Sequence, residues 1–167
     1  MRNLRLFKCV AVTVAALIMV MMAGCGSAVL TRPQPLAGVQ TYLVTGNCEI
    51  AVEDGQIIVS GETDILDGAQ IHVSVVAQNG MVLDYTVFTK TDDVFSRSFV
   101  ITDEKYEGTE QVTGYITCAP STYGAQPQNV IDAYGKQFEQ VDVETKDNIW
   151  NNNGVIIIFA SETIDLQ

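Results

Sequence analysis

An all-β protein, an antiparallel sandwich of about seven strands with one short helix, is what this sequence predicts. Three observations carry the prediction. From Cys48 onward apolar residues recur at alternate positions. The pairs Asp54-Gly55 and Asn79-Gly80, both typical of tight hairpins, separate alternating runs. Only one stretch, 127–134, gives up the two-residue period for a helical one.

The elements follow in order. Cys48, Ile50 and Val52 alternate with Glu49, Ala51 and Glu53, and QIIVSG, residues 56–61, is the return strand of that hairpin. In the strand 70–77, Ile71, Val73 and Val75 alternate with His72 and Ser74, which predicts an outward His72. After Asn79-Gly80, Met81, Leu83, Tyr85 and Val87 fall on one face. Residues 94–101 form another strand, its odd face interrupted by Arg97. In 111–119, Val112, Gly114, Ile116 and Cys118 oppose Gln111, Thr113, Tyr115 and Thr117. PQNVIDAY, residues 127–134, has Pro in the first turn and Gly135 at its end, with Val130, Ile131 and Tyr134 on one helical face. A short strand is expected at 141–144 and a loop at 148–154. The unbroken run VIIIFA, 155–160, suits a central strand buried on both faces.

The start of the chain has a different character. Arg2, Arg5 and Lys8 precede the run Cys9 to Ala23, 15 residues in which only Thr13 is polar. That is the length of a secretory signal core and short of the ~20 residues of a membrane span. Met22-Ala23-Gly24-Cys25 then resembles the lipobox of bacterial lipoproteins. The resemblance implies a signal peptide over 1–24, a diacylglycerol on the Cys25 thiol and a new N-terminus at that residue. Residues 25–45, with Pro33 and Pro35 and no sustained period, read as a lipidated tether to a domain at 46–167. Two acyl chains hold a protein stably on a leaflet where one holds it marginally. The expected location is therefore the cell membrane or outer membrane, facing away from the cytoplasm.

Charge narrows the partners. All twenty acidic residues follow Cys25, against six basic ones, so the chain from Cys25 onward carries −14. Such a surface repels nucleic acid, and a nucleic-acid function is excluded on that ground.

IVSGETDILDGAQIHVSV, residues 58–75, resembles a pattern of bacterial surface and secreted β-sandwich domains. Its parts here are Gly61-Glu62-Thr63, the turn Leu66-Asp67-Gly68 and the alternating strand that follows. Leu66 stands where that pattern usually has Pro before Asp. Gln126-Pro127-Gln128 and Tyr134-Gly135 resemble a later part of the same domains. The resemblance implies an immunoglobulin-like or fibronectin-III-like sandwich and supplies no catalytic residue.

The chemistry-bearing residues are few. His72 is the sole histidine, and the sequence has no G-x-S-x-G, H-E-x-x-H, C-x-x-C, phosphate-loop or dinucleotide motif. Neither a catalytic residue nor a cofactor is expected. Paired carboxylates for a small surface hydrolase would have to be drawn from an acid-rich surface that makes such pairs by chance. Glu62, Asp64 and Asp67 crowd one loop and are the candidates for calcium, which needs six to eight oxygens; their alternative is solvated turn acids. Tyr123, Tyr134 and Trp150 are candidates for a recognition surface or for sugar stacking. Cys48 and Cys118 both face inward on their strands, and outside the cytoplasm a disulfide between them is the expectation; two separate buried thiols are the alternative. The expected function is non-catalytic, by contact with another envelope protein or as an accessory subunit, with a carbohydrate- or wall-polymer-binding module as the second reading.

Overall fold

The computed structural model describes residues 34–121, 124–143, 149–151 and 154–166, all within one unit of the chain, Thr31–Gln167. The strands are β1 (Tyr42–Val44), β2 (Glu49–Glu53), β3 (Gln56–Glu62), β4 (Gln70–Ala77), β5 (Val82–Thr89), β6 (Val94–Val100), β7 (Gln111–Cys118), β8 (Val141–Val143), β9 (Ile149–Asn151) and β10 (Gly154–Asp165). The helices are α1 (Asp103–Tyr106) and α2 (Gln128–Tyr134). An antiparallel three-stranded sheet, β2-β3-β6, and an antiparallel five-stranded sheet, β5-β4-β7-β10-β9, form the sandwich. A small parallel pair, β1-β8, lies beside them.

Local chemistry sets the turns. Asp54 and Gly55 both have positive φ, as a two-residue turn matched to strand twist requires, and they join β2 to β3. The β4–β5 hairpin turns through Asn79-Gly80, where the Asn79 side-chain oxygen accepts from the Met81 N–H. The chain changes sheet between β3 and β4, again between β5 and β6, and a third time through α1. The core lies where the inner faces meet: Ile57 and Val59 of β3, Ile71 and Val73 of β4, Ile116 of β7 and Ile157 of β10 are fully buried. Each such side chain contributes about 1.5–3 kcal/mol by leaving water.

Several expectations change here. The tether does not reach Thr45, because Tyr42–Val44 pairs in register with Val141–Val143 and Val44 is buried. The stretch 149–151, expected as loop, pairs with Gly154–Ile156. β10 is central but not buried on both faces: Val155, Ile157 and Phe159 are buried, whereas Ile156 and Ile158 are half-buried. Leu83, Tyr85 and Val87 of β5, with Met81 before it, do not all share a face as alternation predicts, because a bulge opposite Val75 and Val76 shifts the register. Leu83 is buried beside that bulge, while Tyr85 and Val87 point out from an edge strand. Arg97 does face inward, between Phe95 and Phe99, but at the sandwich margin its guanidinium lies 3.6 Å over the Phe88 ring. Phe88 meets Phe95 edge-on at 5.0 Å, so aromatic rings and one cation close the side between β5 and β6.

Candidate functional site

The outward face of the five-stranded sheet is the surface most unlike an ordinary solvated one. Strand register lays it out in rows. Tyr85 of β5, Ser74 of β4, Tyr115 of β7 and Ala160 of β10 form one, and Val87, His72, Thr117 and Ile158 form the next. Tyr85 is 62% exposed, and Val82 beside it, opposite Val76, is also exposed. Ser74 is buried between the two tyrosines. A contiguous apolar and aromatic strip thus crosses four strands, interleaved with hydroxyls.

His72 sits within this strip and is not outward in solvent as alternation predicts. It is buried, with its ring 5.3 Å from the Tyr85 ring and tilted by 31°, and its Nδ1 lies 3.3 Å from the Thr117 hydroxyl. Burial holds its imidazole below the ordinary 6.5. Alternation assigns a face; it does not show that neighbouring strands cover that face.

The acidic loop residues are engaged in separate ways. Asp64 accepts from the Thr45 N–H at 2.7 Å and from the Thr45 hydroxyl at 3.0 Å. Asp67 accepts from Lys90 Nζ at 2.8 Å, and Asp93 holds the same ammonium at 2.8 Å. Glu62 is exposed, and its backbone pairs with Asn47. The structure therefore places an ammonium between Asp67 and Asp93 and does not gather Glu62, Asp64 and Asp67 on one centre. Burial alone would push the Lys90 ammonium down, but its hydrogen bonds and the charges of Asp67 and Asp93 outweigh burial and leave it above its usual range. No group of three or more potential metal ligands occurs among the described residues.

Tyr134 is a core residue and offers no recognition surface. It is buried, meets Tyr42 and Phe138 edge-on at 5.4 and 5.3 Å, and its hydroxyl accepts from the Leu66 N–H at 2.9 Å. Burial pushes that hydroxyl up to about 12. Cys25, Tyr123 and the Trp150 side chain lie outside the described residues.

Cys48 and Cys118 are free, buried thiols, and the expected bridge is not formed. Cys48 is hydrogen-bonded by the backbone of Ser161, whereas Cys118 stands opposite Ile157. Those two partners are four residues apart on β10, roughly 13 Å at strand rise, beyond the Cα separation of about 7 Å that a disulfide tolerates. Burial raises both thiols to about 12.

Gln126, which opens the Gln126-Pro127-Gln128 stretch, has a structural task that the resemblance does not name. Its buried amide accepts from the Gln70 N–H and donates to the carbonyls of Gln70 and Ala119, in the manner of a backbone neighbour at the sheet end. Among the described residues no helix is long and apolar enough to cross a membrane. Comparison with known proteins finds no family model, no curated protein and no solved structure that matches the chain.

Proposed function

We propose that this chain is a lipid-anchored, extracytoplasmic, non-catalytic domain of immunoglobulin-like type that works by binding another protein at the cell envelope. The observation that carries the contact function is the strip of Tyr85, Val82, Val87, Tyr115 and Ile158 on the outer face of the five-stranded sheet. Exposed apolar patches across neighbouring strands are uncommon on monomers, and aromatic residues are enriched where proteins meet. The seven long strands supply the immunoglobulin-like reading: three in one sheet, β2-β3-β6, and four neighbours in the other, β5-β4-β7-β10. The anchor rests on Arg2, Arg5, Lys8, the apolar run and Met22-Ala23-Gly24-Cys25.

A photo-crosslinking residue at Val87 in the full chain, expressed in envelope membranes, is expected to trap one discrete partner. Tyr85→Ala with Val82→Asp, both beside the crosslinking position, should abolish the adduct while the domain stays folded. An adduct that survives those changes sinks the contact reading. Cys25→Ser is expected to remove labelling by a fatty-acid probe and leave the precursor uncut; continued labelling overturns the anchor. The exposed Tyr85 ring beside Ser74, Thr113 and Thr117 favours the second reading, a wall-polymer module, since sugars stack on such rings. Retention of purified envelope polysaccharide, lost with Tyr85→Ala, would select it instead.

A further inference from the structure

The two open sides of the sandwich differ. Arg97 and Phe88 close the one between β5 and β6. The other, between β2 and the C-terminal half of β10, is left open. Ile50 and Val52 face inward opposite the buried Val59 and Ile57, and Ile164 faces inward opposite the buried Val112, yet all three remain partly exposed, as does Leu166. Among the described residues, β2 pairs only with β3, and β10 pairs with β9 only at Gly154–Ile156 and with β7 alone thereafter. Among the described residues no ladder joins β2 to β10, so two strand edges border one seam.

Two cavities lie along it. One, about 430 Å³, is lined by Cys48, Glu49, Ile50, Glu162 and Ile164. The other, about 470 Å³, is lined in part by Val52, Ile101, Tyr106, Glu107 and Leu166. α1 carries Tyr106 to the second cavity, where the residue is 6% exposed and its hydroxyl has no hydrogen-bond partner. A buried donor left without an acceptor is costly, and an acceptor brought in by a ligand removes that cost. Burial pushes this hydroxyl up to about 12, so it remains a donor at neutral pH. Among the described residues, the charged ones lining these two cavities are Glu49, Glu107 and Glu162, and none is Lys or Arg.

We propose that the seam between β2 and β10 receives an extended, basic segment of a partner protein as an added strand. On the edge of β10 turned away from β7, just beyond its bulge, Thr163 and Asp165 supply backbone groups, the Leu166 N–H being given to the Glu110 carbonyl. The cavities take alternate apolar side chains of the segment, the Tyr106 hydroxyl donates to one of its carbonyls, and the three glutamates select Lys or Arg on its outward positions. This surface is separate from the outer face of the five-stranded sheet and does not depend on it.

The test uses the full chain in detergent micelles and a random peptide library displayed on phage, with a parallel selection on the Glu49→Lys, Glu162→Lys variant. Both changes are at exposed positions, so the fold should be kept. Enriched peptides are expected to alternate apolar residues, to carry Lys or Arg, and to be absent from the selection on the variant. Synthetic copies should slow amide exchange at Thr163 and Asp165. Tyr106→Phe should weaken them about tenfold while holding or raising the melting temperature, since it removes a hydroxyl without a partner. No enrichment above parent phage, equal enrichment on the charge-reversed variant, unchanged exchange at Thr163 and Asp165, or undiminished binding to Tyr106→Phe would each overturn the proposal.

Discussion

Lys90 Nζ stands 2.8 Å from Asp67 Oδ1, with the lysine side chain 1% exposed and the aspartate 71% exposed. The second carboxylate, Asp93, is equally close and equally exposed. Removing the two ends of this arrangement therefore has unequal effects. Lys90→Met leaves two carboxylates that water can solvate, and should cost about 1 kcal/mol or less. Asp67→Asn with Asp93→Asn leaves a buried ammonium without counter-charge, and should cost about 2–3 kcal/mol. Urea unfolding midpoints at unchanged slope measure both. Equal losses would contradict the asymmetry of burial.

Gly61→Ala should destabilise by about 1–3 kcal/mol. A Cβ on Gly61 would press into Ile116 Cδ1 and lie 2.6 Å from the Asn47 carbonyl oxygen. The carbonyl belongs to a backbone that is fixed by pairing with Glu62, so it cannot retreat as a side-chain tip can. Thermal unfolding of the variant checks this, and an unchanged midpoint would mean that the Asn47 segment gives way.

These two positions show what a sequence does and does not carry. Alternation in 111–118 is legible because one face, Val112 to Cys118, is wholly core and the other is not. The same rule misplaced His72, since burial of its face depends on Tyr85 and Thr117, which come from separate strands. β1 carries no local signal in the sequence, because its partner, β8, lies near the other end of the chain and parallel pairing leaves no turn between them. Within the resemblance at 58–75, the Gly-x-Thr and Asp-Gly turns were visible as chemistry, but their tasks were not. Gly61 admits the Asn47 backbone, Thr63 donates to the Thr45 carbonyl, and Asp67 meets a lysine distant in sequence. A lysine in a loop reads as solvated until the fold brings two aspartates to it. Periodicity alone puts Tyr85 on a face shared with Leu83, because a bulge cannot be counted from it.

The cysteines give a direct chemical test. Both thiols are free, buried and raised to about 12, so the thiolate that an alkylating reagent needs is scarce in the native state. Native protein should react slowly at both positions at about pH 8. After unfolding without reductant, Cys48 and Cys118 should each take one label, read by peptide mass spectrometry. Labels appearing only after reduction would establish a bridge and contradict the separation along β10.

The last prediction concerns pH. His72 is buried against the Tyr85 ring and the Thr117 hydroxyl, and burial depresses its basicity below 6.5. In the unfolded chain the imidazole takes up its proton near its ordinary value. Between that value and the lower folded one, the unfolded state binds more protons, so stability rises with pH. The contribution of neutral His72 is thus complete above the unfolded value and is lost as pH falls from there through the folded one. His72→Gln removes the titration and keeps a polar side chain that can still meet Thr117. The difference in unfolding free energy between the native protein and this variant should be constant above about pH 7.5 and should shift against the native protein as pH falls below 6.5. Taking the difference cancels the carboxylates, which titrate alike in both. A difference that stays flat down to about pH 5 would mean that the imidazole is protonated as readily in the folded sheet as in the unfolded chain, and that its burial under Tyr85 is not maintained in solution.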